Sequence, residues 1–369
     1  MKYYIIAGEK SGDLHASNLV KELSRLDPEA TFRGWGGDEM EKAGVDLVTH
    51  YREMAFMGFW EVIVNFRTIR KFIKQCQKDI LDYRPDVVIL VDYAGFNLRI
   101  AKFTHKHGIR NYYYISPKLW AWNQKRAWKI KRYIDRMFVI LHFEKDFYKK
   151  FRMEVDYVGN PLFDAISQFK ADSRFLEKHQ LTEKPLIAVL PGSRKQELKF
   201  IFETMLQVVD DFPGYQFVVA GVDNLPEEMY QPALDKGLKV VYNATYDLLA
   251  NAQAAVVTSG TATLETALFK VPEVVCYKMN RLTYFIGRLV IKVKYISLVN
   301  LLAQKEVVKE LIQKEFTPEN LGKELDAALN GKREVIMEDY QQLIDLIKTE
   351  GTSQRTASLM INYLKEQNR

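Results

Sequence analysis

Strand-like runs alternate with helix-like segments along almost the whole chain, at 3–7, 87–92, 111–115 and 137–141, then at 186–190, 216–220, 239–242, 254–258 and 274–277. Two strands can pair in parallel only if a crossover connects them, and a helix is the usual one. The pattern therefore predicts parallel α/β sheets with helices on both faces. The runs fall into two sets. Between them Gly159 and Pro161 punctuate Asp156-Tyr157-Val158-Gly159-Asn160-Pro161, which places a domain boundary near residue 160. A chain of 369 residues is long for a single core. Two Rossmann-like domains, 1–160 and 161–369, facing an interdomain cleft are the predicted architecture. Ligands of such sheets sit beyond the carboxyl ends of the strands. After Gly331 the chain reads as helical and polar.

Composition excludes several classes. Apolar residues make up 47% and charged residues 27%, which is ordinary for a globular protein and rules against disorder. Cys76 and Cys276 lie far apart without metal-ligand spacing and suit a reducing cytoplasm. The six histidines form no H-x-x-x-H pair beside a carboxylate, so no metal is expected. The opening Met1–Gly8 reads as a buried strand rather than a secretory leader, and no apolar run approaches the ~20 residues of a membrane span. Charge is uneven. Residues 1–165 hold 28 Lys and Arg against 21 Asp and Glu, whereas the remaining 25 and 26 nearly cancel. The surplus points to an anionic partner of the N-terminal half, either phospholipid or nucleic acid.

Two turns in the second half carry the strongest chemical signal. Leu190-Pro191-Gly192-Ser193-Arg194 and Thr258-Ser259-Gly260-Thr261-Ala262-Thr263-Leu264-Glu265 each follow a strand-like run and precede a helix-like segment. Unpaired N–H groups and the positive end of a helix dipole can hold an anion there, and Arg194 adds a cation that can fork onto phosphate. Glu265, one turn into its helix, can accept from vicinal ribose hydroxyls. Neither turn is a P-loop. Diphosphate plus ribose suggests a nucleotide-activated substrate and a transferase. Asn300 sits in an apolar stretch, Ser297-Leu298-Val299-Asn300-Leu301-Leu302, where a turn role is the ordinary alternative.

In the first half Gly8-Glu9-Lys10-Ser11-Gly12-Asp13 follows the first strand and precedes a helix expected near Leu14. It is not G-x-G-x-x-G, which argues against a nicotinamide enzyme, and Ser11 or Asp13 could equally be a helix N-cap. Asp92 ends a wholly apolar strand, where it could take a proton from a hydroxyl or merely cap the next helix. The stretch 54–73 packs Met57, Phe59, Trp60 and Ile63 ahead of Arg67, Arg70, Lys71 and Lys74; an interfacial helix on an anionic membrane and a buried core helix both fit. Aromatics interleave with Lys125, Arg126 and Lys129 after Ser116-Pro117-Lys118-Leu119-Trp120-Ala121-Trp122. Single-stranded nucleic acid, lipid headgroups and a plain solvated helix all remain open there.

Taken in order, these segments resemble the lipid-A-disaccharide synthase family nearly end to end. The likeness rests on Gly8-Glu9-x-Ser11-Gly12-Asp13, Met57-Gly58-x-x-Glu61-Val62, Asp92-x-x-x-Phe96-Asn97 and Ser116-Pro117-x-x-Trp120-Ala121-Trp122 with Lys125-Arg126. It continues through Phe143-Glu144-Lys145, Pro191-Gly192-Ser193-Arg194, Ser259-Gly260-Thr261-Ala262-x-Leu264-Glu265 and Asn300-Leu301-Leu302. Lys10 replaces the usual alanine, Ala94 a usual proline, and Gly95 stands where many members carry a second acid, leaving Asp92 as that motif's sole carboxylate.

The resemblance implies a GT-B glycosyltransferase acting by inversion and without a metal. It would move 2,3-diacylglucosamine from its UDP form to the 6-hydroxyl of 2,3-diacylglucosamine 1-phosphate (lipid X). By the same analogy Asp92 is the general base, Arg194 and Ser259–Thr261 hold the diphosphate, Glu265 the ribose, Asn300 lines the UDP site, and Ser11 and Gly12 contact substrate. The 54–73 stretch and the basic helix would face the anionic cytoplasmic leaflet of the inner membrane, with no role for nucleic acid. A homodimer through the C-terminal helices is also implied. A UDP-N-acetylglucosamine 2-epimerase and a non-catalytic anion-binding protein are the competing readings.

Overall fold

In the computed structural model, which describes residues 1–54, 66–280, 284–285 and 293–366, the chain divides into two compact units. The expectations for Met57, Phe59, Trp60 and Ile63 lie outside the described residues. The first unit holds seven parallel strands: β1 (Lys2–Ala7), β2 (Thr31–Gly36), β3 (Asp46–His50), β4 (Val87–Val91), β5 (Arg110–Tyr114), β6 (Arg136–Val139) and β7 (Asp156–Tyr157). Their order is β3-β2-β1-β4-β5-β6-β7. The second holds β8 (Leu186–Leu190), β9 (Gln216–Gly221), β10 (Lys239–Tyr242), β11 (Ala252–Thr258), β12 (Glu273–Tyr277) and β13 (Lys309–Ile312), in the order β10-β9-β8-β11-β12-β13.

Both orders are the doubly wound Rossmann pattern, with the direction of winding reversing between β1 and β4 in one unit and between β8 and β11 in the other. The central strands explain why. Every residue of β4 and β8 is buried, and so is β1 after Lys2, because helices cover both faces. The four turns that follow β1, β4, β8 and β11 therefore open at the two switch points, and all four were singled out from the sequence.

The division of the chain departs from the expected 1–160 and 161–369. The first unit comprises Met1–Ser167 together with Lys348–Arg369, and the second Gln168–Ile347. The last helix, Thr352–Glu366, returns to the first unit, where Ala357, Met360, Ile361 and Leu364 join Ala16, Leu19, Val20 and Leu23 of the first helix in one buried cluster. Asp164 fixes the return. Its carboxylate accepts from the N–H groups of Gly351 (3.1 Å), Thr352 (3.2 Å) and Ser353 (2.8 Å), capping that helix from across the chain. Among the described residues no helix is long and apolar enough to cross a membrane.

Candidate active site

The turn after β1 is shorter than the sequence suggests. Its helix begins at Lys10, with Glu9 in the N-cap position, so Ser11, Gly12 and Asp13 all lie in the first turn of the helix. Ser11 is exposed at the strand tip and open to a ligand. Gly12 is buried, and a Cβ there would touch Ala7 (3.5 Å) and Val91 (3.9 Å), so it serves the packing of helix on strands. Asp13 caps a different helix: it accepts from the N–H groups of Gly37 (2.7 Å), Glu39 (3.1 Å) and Met40 (3.1 Å). Gly8 admits no side chain, because a Cβ would lie 2.3 Å from the ring of Tyr93.

Tyr93 belongs to the turn that presents Asp92. Both residues are left-handed, each with φ 44°. Asn97, wholly buried, donates from Nδ2 to the carbonyls of Val91 (3.1 Å) and Asp92 (2.9 Å), and the Tyr113 hydroxyl also donates to the Asp92 carbonyl. The Asp92 N–H donates to the Tyr114 carbonyl (3.1 Å). The turn is thus pinned from three sides, with the half-buried Asp92 at its apex. The N-cap position of the following helix, Ala94–Lys106, falls to Tyr93 and not to Asp92.

Beyond β5 the aromatic and basic segment divides its side chains. Trp120 is buried against Phe143 and donates from Nε1 to Glu144 (3.1 Å), whereas Trp128 is 54% exposed beside the exposed Lys125, Lys129 and Lys131. Arg126 is half-buried. Glu144 is the residue here whose role the sequence did not reveal. Burial lifts its carboxyl to about 7, opposed by hydrogen bonds from the Leu141 N–H, Trp120 and Ser116. It holds the 116–120 turn to the tip of β6.

In the second unit the turn after β8 differs from the open anion cradle expected. Gly192 is left-handed at φ 103°. The N–H groups of Ser193 (2.9 Å) and Arg194 (3.1 Å) both donate to Glu197 Oε2, and the Arg194 guanidinium lies 3.7 Å from Glu197 Oε1. Arg194 itself is largely exposed. The turn after β11 is the more open one. Ser259 uses its N–H on the Cys276 carbonyl (3.0 Å) and its hydroxyl on the Ile296 carbonyl (2.9 Å). The donors that remain to this turn belong to Thr261 and Ala262, which open the helix Thr261–Leu268 and have no helical acceptor before them. A Cβ at Gly260 would meet nothing nearer than the Thr258 carbonyl at 4.0 Å.

Glu265 stands half-buried in that helix and accepts from the Tyr246 hydroxyl (2.9 Å), a partner the sequence did not suggest. Burial raises the Glu265 carboxyl, and the Tyr246 bond lowers it again. Asn300 braces the fold locally. It is wholly buried and every polar atom of its side chain is engaged. Nδ2 donates to the Val308 carbonyl (2.8 Å) and Glu310 (3.0 Å), while Oδ1 accepts from the N–H groups of Val307 (2.8 Å) and Val308 (3.0 Å). With two donors and two lone pairs spent, the side chain braces the loop.

Two switch points, one with a carboxylate at its apex and the other with a cation and helix N-terminal donors, fit a transferase of activated groups. Residues 3–362 match the family model described as LpxB, lipid-A-disaccharide synthetase. The chain belongs to the lipid-A-disaccharide synthase family. It is an enzyme, a glycosyltransferase of lipid A biosynthesis. Lipid-A-disaccharide synthase of Syntrophus aciditrophicus is 38% identical over 373 residues, covering 98% of this chain and 97% of the relative. That of Geobacter metallireducens is 38% identical over 370 residues, covering 98% and 96%.

Solved structures agree on the fold. The Methanocaldococcus jannaschii UDP-GlcNAc 2-epimerase in complex with UDP-GlcNAc and UDP superposes with a TM-score of 0.68 at 15% identity, covering 98% of this chain and all of that one. The calicheamicin glycosyltransferase CalG4 gives 0.62 at 15% identity, covering 100% and 99%. At such identities the likeness shows the GT-B α/β class and nothing finer. The family match, not the fold, separates this chain from the epimerases.

Proposed function

We propose that the enzyme transfers 2,3-diacylglucosamine from UDP-2,3-diacylglucosamine to the 6-hydroxyl of 2,3-diacylglucosamine 1-phosphate, inverting the anomeric carbon and releasing UDP. The observation that carries this reading is Asp92, held at the tip of β4 by a turn whose backbone is fixed by Asn97, Tyr113 and Tyr114. As the acceptor oxygen bonds to the anomeric carbon, Asp92 takes its proton and the bond to UDP breaks on the opposite face. A carboxylate is a weak base, so the effect of Asp92 comes from placement. Charge develops on the departing diphosphate. Arg194 and the N–H groups at the start of Thr261–Leu268 receive it, so no metal is needed. Glu265, oriented by Tyr246, takes the ribose.

Both substrates carry acyl chains, so the enzyme works at the cytoplasmic face of the inner membrane, and the basic surplus of the first half meets anionic lipid there. The exposure of Lys125 and Lys129, beside Trp128, supports that reading, and the apolar sequence of the 54–73 stretch is consistent with it. A homodimer formed by exchanging C-terminal helices would reuse the packing of Thr352–Glu366 on Lys10–Leu26, with the helix coming from the other copy.

The test is a disaccharide assay with both lipid substrates in detergent micelles. Wild type should yield disaccharide and UDP, undiminished by EDTA, while Asp92→Asn should lose at least about a hundredfold in kcat yet melt normally. Near-normal turnover by Asp92→Asn would remove it as the base, and a strict divalent-ion requirement would overturn the metal-free departure.

A further inference from the structure

The turn after β8 closes on a carboxylate of its own. Glu197 Oε2 receives the N–H groups of Ser193 and Arg194, and Oε1 faces the Arg194 guanidinium. Two adjacent backbone donors and a guanidinium are the groups with which a protein binds one end of a phosphate. Gly192 makes the arrangement possible. Its φ of 103° is left-handed, and a Cβ there would stand 2.3 Å from Glu197 Oε2, in the path the carboxylate takes to reach the donors.

We propose that Glu197 is an internal occupant of the phosphate cradle, exchanged for the diphosphate when a UDP-activated donor binds. This rests on the assignment of that turn to UDP. The two anions cannot share the same N–H groups, and their like charges repel. Glu197 is held mainly by the two N–H bonds that a diphosphate would take over, since its ion pair with the largely exposed Arg194 is weak. The β11 turn offers a contrast, because there the first-turn residues Thr261, Ala262 and Thr263 include no acid. Occupied by Glu197, the β8 turn keeps its shape without a ligand, and diphosphate affinity is lowered by whatever it takes to displace the carboxylate.

The experiment is calorimetric titration of wild type and Glu197→Gln with UDP and with uridine. The amide of glutamine can still accept from the cradle but no longer competes as a charge. Glu197→Gln should therefore bind UDP roughly three- to tenfold more tightly, with uridine binding unchanged. A purely structural cap predicts equal or weaker UDP binding by a variant that melts like wild type, and that result would overturn the inference alone. No UDP binding by either protein would overturn both the inference and the placement of UDP at this turn. On wild type itself, the carboxyl 13C resonance of Glu197 should shift on saturation with UDP, which needs no variant to fold. A resonance that stays put while UDP binds would rule out the exchange.

Discussion

Asp92 and Tyr93 are consecutive non-glycine residues in the left-handed region, a conformation that costs about 1–3 kcal/mol per residue and survives only where its surroundings insist on it. Here they do, through Asn97, Tyr113 and the ring of Tyr93 lying over Gly8. The sequence could point to Asp92, since a carboxylate ending an apolar strand is visible as text. The pinning could not be read, because it depends on which side chains arrive from neighbouring strands. The partners of Asn300 were hidden for the same reason: a polar residue among apolar ones does not show as text that Val307, Val308 and Glu310 surround it. Glu197 was legible in principle, as an acid three positions after a helix N-cap.

Glu144 gives a prediction at this scale. In the unfolded chain its carboxyl titrates near 4.5, and burial lifts it to about 7 in the folded protein. Between these values the folded state keeps a proton that the unfolded chain has released. The stability this contributes is complete below pH 4.5 and is lost as pH rises through 7, a change of about 3 kcal/mol. The gap in melting temperature between wild type and Glu144→Gln should therefore move steadily against wild type from pH 5 to pH 8. A gap independent of pH would mean that Glu144 keeps an ordinary acidity.

Among elements, the nine expected strands were all found, but β2, β3, β7 and β13 were not anticipated. Their sequences explain why. Thr31–Gly36 is interrupted by Arg33, Gly34 and Gly36, Lys309–Ile312 opens with two charges, and Asp156–Tyr157 is only two residues long. Three of the four lie at sheet edges, where one flank is unpaired and continuous apolarity is not required. The turns at the switch points came through better, since small residues between a strand and a helix leave a clear mark. One of these turns can be tested as a unit. In Gly8→Ala the new Cβ would meet the Tyr93 ring at 2.3 Å, and the ring must shift with the backbone that carries Asp92. Turnover should fall at least about tenfold with KM for the UDP donor unchanged and stability lowered by about 1–3 kcal/mol. Steady-state kinetics with unaltered kcat would show that the β1 and β4 turns are not coupled.

At the scale of the molecule, the chain order and the folding units do not coincide. A boundary near 160 was readable from Gly159 and Pro161, but the return of Thr352–Glu366 to the first unit was not, because an amphipathic helix announces that it needs cover without naming what covers it. Asp164, which caps the returning helix, and Asp156, whose carboxylate accepts from the Tyr363 hydroxyl (3.1 Å), are the contacts that choose. Deleting residues 348–369 should therefore damage the end of the chain to which it is not adjacent. Met360, Ile361 and Leu364 are at most 5% exposed, and burying each is worth about 1.5–3 kcal/mol, so their combined loss is comparable with the whole stability of a domain. Calorimetry of the truncated chain should show the transition of the first unit lost or moved far down, while the second unit, which ends at Ile347, melts as before and still binds UDP. Two unshifted transitions would mean that the helix rides on the first unit without supporting it, its return resting on polar contacts such as those at Asp164, Asp156 and Arg355.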